Sequence, residues 1–484
     1  MSFHDLRGYI EFLDEQGELK VVDGADWELE IGGLTELMIK QRPSPALLFD
    51  NIVGHEPGYR LLSNATTTPL QFSAGMGYEP TKSKREAIVA HRDAKVTDLP
   101  PTTLVSSGPV LENVHKGDDI DITEFPAPRW HEDDGGQYIG TGCAVITNNA
   151  ETGGINAGVY RVQVQGPDTV TVYISPGMDG NRNRKSYLDR GEPAPMVVSL
   201  GHALDIFYAA TQQLPSTVNE LEYAGGLRGE SVDVIEGDVT GLPIPAHAEL
   251  VFEGFIYPDS ALVPEGPFGE FTGYYAGTGH EEIPMTVERV YFRNDPINLG
   301  WLPLPPPAQG MLDMRAAATL WKELKNAGMP GVQAVNSLPA GPRFFEIVSL
   351  STQYAGHSKQ VGVHAASGRG SGYHGRFTVV VDDDIDVFNQ DEVFWALATR
   401  CDPATDIHII DGCWSTTLDP TIPPERKEAG DLTNSRAVLD ATRPYHWKDE
   451  FPKVSRARPE LLADLREKWG GLFDGVDDPH RPVE

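Results

Sequence analysis

The stretch from about 138 to 300 constrains the fold most. It is a succession of short runs, "YIGTGCAVITNN", "AGVYRVQVQG", "TVTVYIS", "AHAELVFEGFI" and "MTVERVYF", all rich in Val, Ile, Tyr, Phe and Thr. Several alternate with period two, as half-buried strands do. In "AHAELVFEGFI", Ala248, Leu250, Phe252 and Gly254 alternate with Glu249, Val251 and Glu253. One helical pattern interrupts the series: "GHALDIFYAATQQLP" sets Leu204, Ile206, Phe207 and Ala210 on one stripe. A mostly antiparallel barrel or sandwich with one helical insertion is expected.

The flanks read differently. Leu6, Ile10 and Leu13 fall at helical spacing in an acidic amphipathic helix, "SPALLFDNI" is a strand, and "TKSKREAIVAHRDA" is a charged helix. Proline-rich connections, "DLPPTTLV" and "DITEFPAPRW", mark a boundary near residues 100–125. After residue 310 a long helix, "MLDMRAAATLWKELKNAG", ends at Gly328. Strands "RFFEIVSLS" and "RFTVVVDDDID" then alternate with the helix "DEVFWALATRCDP", and "RPELLADLREKWGGLF" forms an amphipathic helix near the end. This part reads as α/β.

Composition narrows the partners. Lys and Arg number 39 against 71 Asp and Glu, a formal net charge of −32. Nucleic acid and anionic membranes both call for a basic patch, so neither is an expected partner. No run approaches the ~18 consecutive apolar residues of a membrane helix. The N-terminal segment lacks the basic start and apolar core of a secretory signal. Cys143, Cys401 and Cys413 form no metal-type spacing and no disulfide framework. A cytoplasmic protein is expected. An anionic substrate would need a local basic group, which draws attention to arginines in glycine-rich, apolar settings.

Several segments could carry chemistry. "PEGPFGEFTGYY" (264–275) holds Glu265 and Glu270 among glycines and prolines. Residues five apart converge on neither a strand nor a helix. The glycines permit a fold that turns both acids inward, where mutual repulsion and burial would separate their pKa values; the spacing alone favours a surface turn between strands. Arg161 sits in the apolar run "GVYRVQVQG" after a glycine-rich approach, suited to a buried ion pair or to an anionic ligand, and Asn156 lies on the same segment. Glu220 and Glu222 precede a glycine-rich turn in "NELEYAGGLRGE" and could ligate Mg²⁺ or Mn²⁺ or decorate a surface helix. Asp382 to Asp384 could hold a metal or a ribose, although Asn389 and Glu392 read as a cap for the following helix. "SGRGSGYHGR" has the glycine density of a dinucleotide loop but leads into a strand, not a helix.

Taken together, "HEDDGGQYIGTG" (131–142), "NAGVYR" (156–161), "EYAGGLRG" (222–229), "PEGPFGEFTGYY" (264–275), "QYAGHSK" (353–359) and the segment 379–403 resemble the UbiD family of reversible decarboxylases, which use prenylated FMN. The resemblance spans nearly the whole chain. It implies a mixed α/β multidomain protein: an N-terminal α/β domain (1–115), a central split β-barrel that binds the flavin (116–305) and a C-terminal α/β dimerisation domain (306–484). It implies Arg161, Glu265 and Glu270 as catalytic residues, and Asn156, Arg161, Glu220 and Lys359 as cofactor-binding residues. Asn156 and Glu220 would also bind a divalent metal, Mn²⁺ or Mg²⁺, with K⁺ as a further candidate ion. The family's usual metal-binding histidine has no counterpart here. "YISPGMDGNRN" places Pro176, Gly177 or Met178 about where it would stand, with Asp179 the candidate oxygen ligand in its place.

The activity implied is reversible, non-oxidative decarboxylation of an aromatic, heteroaromatic or α,β-unsaturated acid. The family's range extends to hydroxybenzoates and to fused-ring acids of the phenazine-carboxylate type. Such decarboxylation is slow because the electron pair left behind has nowhere to go, and a flavin-derived electrophile accepts it. Arg161 is expected to pair with Glu265, Glu270 to deliver the proton, and "WLPLPPPAQGML" (301–312) to form part of an apolar wall. A flavin prenyltransferase would supply the cofactor, and a homodimer or larger homo-oligomer is expected. Two rival readings are a flavin-dependent oxidoreductase on a split barrel and a non-catalytic flavin-binding protein.

Overall fold

In the computed structural model, which describes residues 2–275, 277–305, 310–341, 343–368 and 375–472, the strand order of the largest sheet dictates its shape. Eight antiparallel strands run in the order Tyr138–Gly140, Val162–Gly166, Thr169–Val172, Met285–Phe292, Leu250–Ile256, Ala194–Leu200, Ala144–Asn148 and Ile155–Gly158, and Asn113–Lys116 adds a ninth beside Met285–Phe292. Ile155–Gly158 and Val162–Gly166 are consecutive in the chain yet six positions apart in this order. In a flat sheet those six spacings would span roughly 29 Å. The four residue steps from Gly158 to Val162 reach roughly 15 Å at most. The sheet must therefore curl until its ends approach, and this is the split barrel expected from the sequence. The step from Gly140 to Ala144 bridges the same seam over the same separation. Arg161 lies in the short span 159–161 that crosses the seam, one residue before its strand and not inside it.

Both faces of the sheet are covered. On one, Val145, Val198, Leu250, Phe252, Val290 and Phe292 pack together. On the other, Ile146, Val197, Val251 and Tyr291 pack under Ile206, Leu221 and Ala224 of two helices, Leu204–Ala210 and Glu220–Arg228. The half-buried alternation expected for 248–254 is accordingly absent: Glu249 and Glu253 are as buried as Leu250 and Phe252. Each acid is matched. Glu249 accepts a two-pronged contact from Arg7 at 2.8 and 2.7 Å and another from Arg293 at 3.1 Å. Glu253 accepts from the Val239 and Thr240 N–H groups, the Thr240 hydroxyl and Tyr291 Oη.

The helical insertion is larger than the single helix read from the sequence. A helix also forms over Asp179–Leu188, whose polar sequence carries no apolar stripe, and Gly225 and Gly226 lie inside the helix Glu220–Arg228, not in a turn. Asn219 caps that helix through its bond from the Leu221 N–H, and Gly229 ends it at φ 85°. A four-stranded sheet, Leu19–Asp23, Ala46–Asp50, Arg60–Ser63 and Ile297–Leu299, completes this compact unit.

The second unit comprises 82–88, 313–416 and 431–484. Its five-stranded sheet runs Val332–Ser337, Phe345–Leu350, Phe377–Asp382, Thr433–Ala441 and Ile407–Trp414, with parallel pairs at the centre and antiparallel pairs at both edges. The acidic cluster ending its central strand is structural: Arg400 donates to Asp382 and Asp384, and Arg443 to Asp382. Asn389 caps the helix Gln390–Arg400 as read, while the Glu392 carboxylate turns to the Asp386 N–H. Asp313 and Glu346 are buried within this unit, and among the described residues no hydrogen-bonding partner faces either Asp313 oxygen or Glu346 Oε2. The glycine-rich segment 369–374 lies outside the described residues.

Candidate active site

Arg161, Glu265 and Glu270 meet at the barrel seam. Arg161 Nε and Nη2 donate to Glu265 Oε1 and Oε2 at 2.7 and 2.6 Å, and Nη1 donates to Glu270 Oε1 at 2.9 Å. The guanidinium is stacked 4.6 Å from the Tyr173 ring centre and 5.8 Å from that of Phe268. Burial opposes the charge on Arg161, but the Glu265 hydrogen bond and the charges of Glu265 and Glu270 outweigh it, so its pKa is raised.

The two acids differ. Glu265 ends the short strand Val263–Glu265 and is wholly enclosed, with Tyr138 Oη 3.5 Å from Oε1 and His280 Nε2 3.5 Å from Oε2. The Glu270 side chain keeps 17% of its surface open. Burial pushes its carboxyl up to about 7; Arg161 opposes this and the Glu265 charge adds to it. One acid is thus locked on the arginine, while the other is set to exchange a proton near neutrality.

The loop bearing the acids is held from two sides, by residues the sequence reading did not single out. Arg161 precedes the strand Val162–Gly166, and Gln163 and Gln165 follow it at period two. Gln163 Oε1 accepts from the Gly266 N–H at 2.9 Å, and its Nε2 donates to the Gly135 carbonyl at 3.1 Å. Gln165 Nε2 donates to the Pro264 carbonyl at 2.8 Å. From the opposite side, Asp134 accepts from the His131 N–H at 2.9 Å and from Tyr275 Oη at 3.1 Å, and the Gly135 N–H donates to the Pro267 carbonyl at 2.8 Å. A β-carbon at position 135 would stand 1.9 Å from the Gly266 carbonyl oxygen, and Gly266 itself has φ 81°. Both contacts require glycine. The R-x-Q-x-Q spacing was the available sequence signal, but the neutral glutamines alternate with Val162 and Val164 and read as an ordinary strand.

Asn156, on the strand Ile155–Gly158, and Glu220, at the head of the helix Glu220–Arg228, form a second group. Asn156 Nδ2 donates to Glu220 Oε1 at 3.2 Å, and the Ala157 N–H donates to Oε2 at 2.8 Å. Burial raises the Glu220 pKa against these bonds. Tyr160 Oη, adjacent in sequence to Arg161, donates to Asn156 Oδ1 at 3.4 Å and accepts from the Gly180 N–H at 3.3 Å. Asp179 heads its helix and is paired with Arg182; among the described residues no hydrogen bond joins it to Asn156 or Glu220. Glu222 lies on the same helix as Glu220. Lys359 belongs to the other unit, exposed on the helix His357–Ser367. Of the segment 301–312, Leu302 and Leu304 are buried with Phe268 and Trp130, while 306–309 lie outside the described residues.

Comparison with known proteins decides the family. Residues 10–90, 103–306 and 310–441 match, in that order, the N-terminal, Rift-related and C-terminal domains of 3-octaprenyl-4-hydroxybenzoate carboxy-lyase. The chain belongs to the UbiD family. Among solved structures, it is similar to the vanillic acid decarboxylase of Sedimentibacter hydroxybenzoicus in its open form, at 27% identity over 98% of this chain and 100% of that one, TM-score 0.83. It is similar to the UbiD-class enzyme HmfF of Pelotomaculum thermopropionicum in complex with FMN, at 27% identity over 95% and 100%, TM-score 0.82. An evolved dimeric form of that enzyme, in complex with prFMN, matches at 26% identity over 96% and 100%, TM-score 0.79. Family membership makes the chain a carboxy-lyase. No helix among the described residues is long and apolar enough to cross a membrane.

Proposed function

We propose that this UbiD-family chain is a prenylated-FMN-dependent, reversible, non-oxidative decarboxylase of an aromatic, heteroaromatic or α,β-unsaturated carboxylic acid. The observation that carries this reading is the convergence of Arg161, Glu265 and Glu270, with a fully enclosed acid on one side of the guanidinium and a proton-exchanging acid on the other. The flavin-bound relative and the aromatic-acid decarboxylases among the similar structures support the substrate and cofactor classes.

The donor sets suit such a cofactor. Asn156 and Glu220 offer side-chain oxygens that would help hold a Mg²⁺ or Mn²⁺ ion, whose charge would offset that of an anionic cofactor. No cluster of three or more His, Cys, Asp or Glu side chains among the described residues is set to hold a metal unaided. Asp179 stays a candidate for the metal shell, and Arg161 for the ring. When bound, prenylated FMN supplies the electrophile that accepts the electron pair released as CO₂ departs.

The protein's own residues do the rest. Arg161 is kept cationic and in place by the fork to Glu265, which leaves it poised beside an anionic substrate. Glu270 Oε1 is engaged by Arg161, so Oε2 carries the proton that goes to the carbon CO₂ has left. In the reverse direction the same oxygen takes it back. Phe268, Leu302 and Leu304 contribute an apolar wall that disfavours the substrate's charged carboxylate over neutral CO₂. Exposed apolar side chains of the second unit, including Ile409 and Phe394, support a homodimer. Three unpaired cysteines fit a cytoplasmic setting.

The test is to produce the chain with and without a flavin prenyltransferase, record the spectrum and mass of the bound cofactor, and screen aromatic acids anaerobically for CO₂ release. Release with no added electron donor is expected. Turnover that requires a nicotinamide would point to an oxidoreductase, and absence of both flavin and CO₂ would overturn the proposal.

A further inference from the structure

We infer that Gln163 is a positioning residue for the reaction: it sets the Glu265–Arg161–Glu270 geometry by anchoring the backbone that carries Glu265. This rests on the function proposed above. Gln163 is 4% exposed and stands two residues beyond Arg161, in the strand Val162–Gly166. Its amide bonds two backbone groups of opposite kind, the Gly266 N–H at 2.9 Å and the Gly135 carbonyl at 3.1 Å, and its Oε1 also accepts from Tyr138 Oη at 3.3 Å. Among uncharged side chains, a carboxamide can accept at one end and donate at the other in this way.

The bond to Gly266 holds the peptide immediately after Glu265, and so the direction in which that carboxylate points. Glu265 in turn takes Nε and Nη2 of Arg161, which leaves Nη1 to face Glu270. One strand thereby sets both the cation, through Arg161, and the loop that answers it, through Gln163. Gln165 repeats the device one step on, at the Pro264 carbonyl. Once Gln163 is lost, Glu265 is free to swing and Arg161 shifts off Glu270. Glu270 then loses the positive charge that restrains its protonation, and its proton is released at higher pH.

The experiment compares Gln163→Met, which removes both bonds at similar volume, with Gln163→Glu, which keeps the acceptor for Gly266 and loses the donor to Gly135. Backbone hydrogen exchange over 264–275, measured on the flavin-free chain, reads the anchor without reference to turnover. Deuterium incorporation from D₂O into the decarboxylated product of an aromatic acid, measured across pH on the reconstituted enzyme, reads the site. Faster exchange at Gly266 is expected in Gln163→Met, with protection retained in Gln163→Glu. The uptake rate of Gln163→Met should fall ~10–100-fold, and its alkaline limb should move to higher pH. A folded Gln163→Met with wild-type protection at Gly266, or with an unmoved limb in an active enzyme, overturns the inference. An inactive wild type with a loosened loop in Gln163→Met instead sinks the proposed function and leaves the anchor standing.

Discussion

Glu265 takes two parallel donors of Arg161, at 2.7 and 2.6 Å, in a setting where the acid has no exposed surface. A buried pair of this kind is costly to break from one side, because the remaining charge is left uncompensated. Arg161→Met should lower the unfolding free energy by ~3–5 kcal/mol. Arg161→Lys should restore part of the stability without the two-pronged geometry. Denaturant unfolding of the two variants checks this; equal stability of Arg161→Met and wild type would mean the pair is not held in the folded chain.

The Glu270 carboxyl, raised to about 7 by burial, gives the activity a pH dependence of known sign. Below that value it carries the proton; above it the donor is lost. Decarboxylation should therefore decline as pH rises through about 7. A rate profile from pH 5 to 9 measures this, and a limb that rises over the same interval would contradict the assignment.

A second pair of acids predicts a stability effect away from the site. Burial raises the pKa of Asp313, against the pull of Lys84 and Arg343. Burial raises Glu346 as well, with Asp313 adding to it, while the Ser337 hydroxyl, Arg343 and Lys84 oppose. Acids raised on folding bind more protons in the native chain than in the unfolded one. Their contribution to stability is complete below the ordinary carboxylate range and is lost as pH rises through the raised values. Asp313→Asn should thus raise the thermal midpoint by roughly 2–4 °C at pH 8 and change it little at pH 4. Calorimetry at the two pH values checks the difference.

What the sequence made legible followed chemical type. The separation of Glu265 from Glu270 ruled out a shared regular element, and the structure does bring both to Arg161 through a loop. Strands rich in β-branched residues declared the barrel. Three things stayed hidden, each for a physical reason. Asp179–Leu188 is too polar to show a helical stripe. Gly225 and Gly226 look like a turn until Asn219 and Gly229 are seen to cap the helix around them. The barrel's own side chains bury one face of Leu250–Ile256 and the packing helices the other, so Glu249 and Glu253 follow an exposed pattern while lying in the core. Gln163 escaped notice because its bonded backbone groups lie far away in sequence, and Asp134 because only the fold brings the Tyr275 hydroxyl to it.

Asn156 and Glu220 make a further testable pair. Glu220→Gln keeps the fold and the contact with Asn156 but removes a negative charge from a two-oxygen ligand set. Flavin retention on a desalting column should become weaker in this variant, and added Mn²⁺ should restore less of it than in the wild type. Dialysis of the wild type against a chelator should mimic the defect. Identical retention in all three samples would remove these residues from the cofactor site.

The most direct measurement is deuterium incorporation from D₂O into the decarboxylated product of an aromatic acid by the anaerobically reconstituted enzyme, wild type against Glu270→Gln. The account predicts incorporation by the wild type and its loss in Glu270→Gln with the flavin still bound. Undiminished incorporation by the flavin-loaded variant would contradict it.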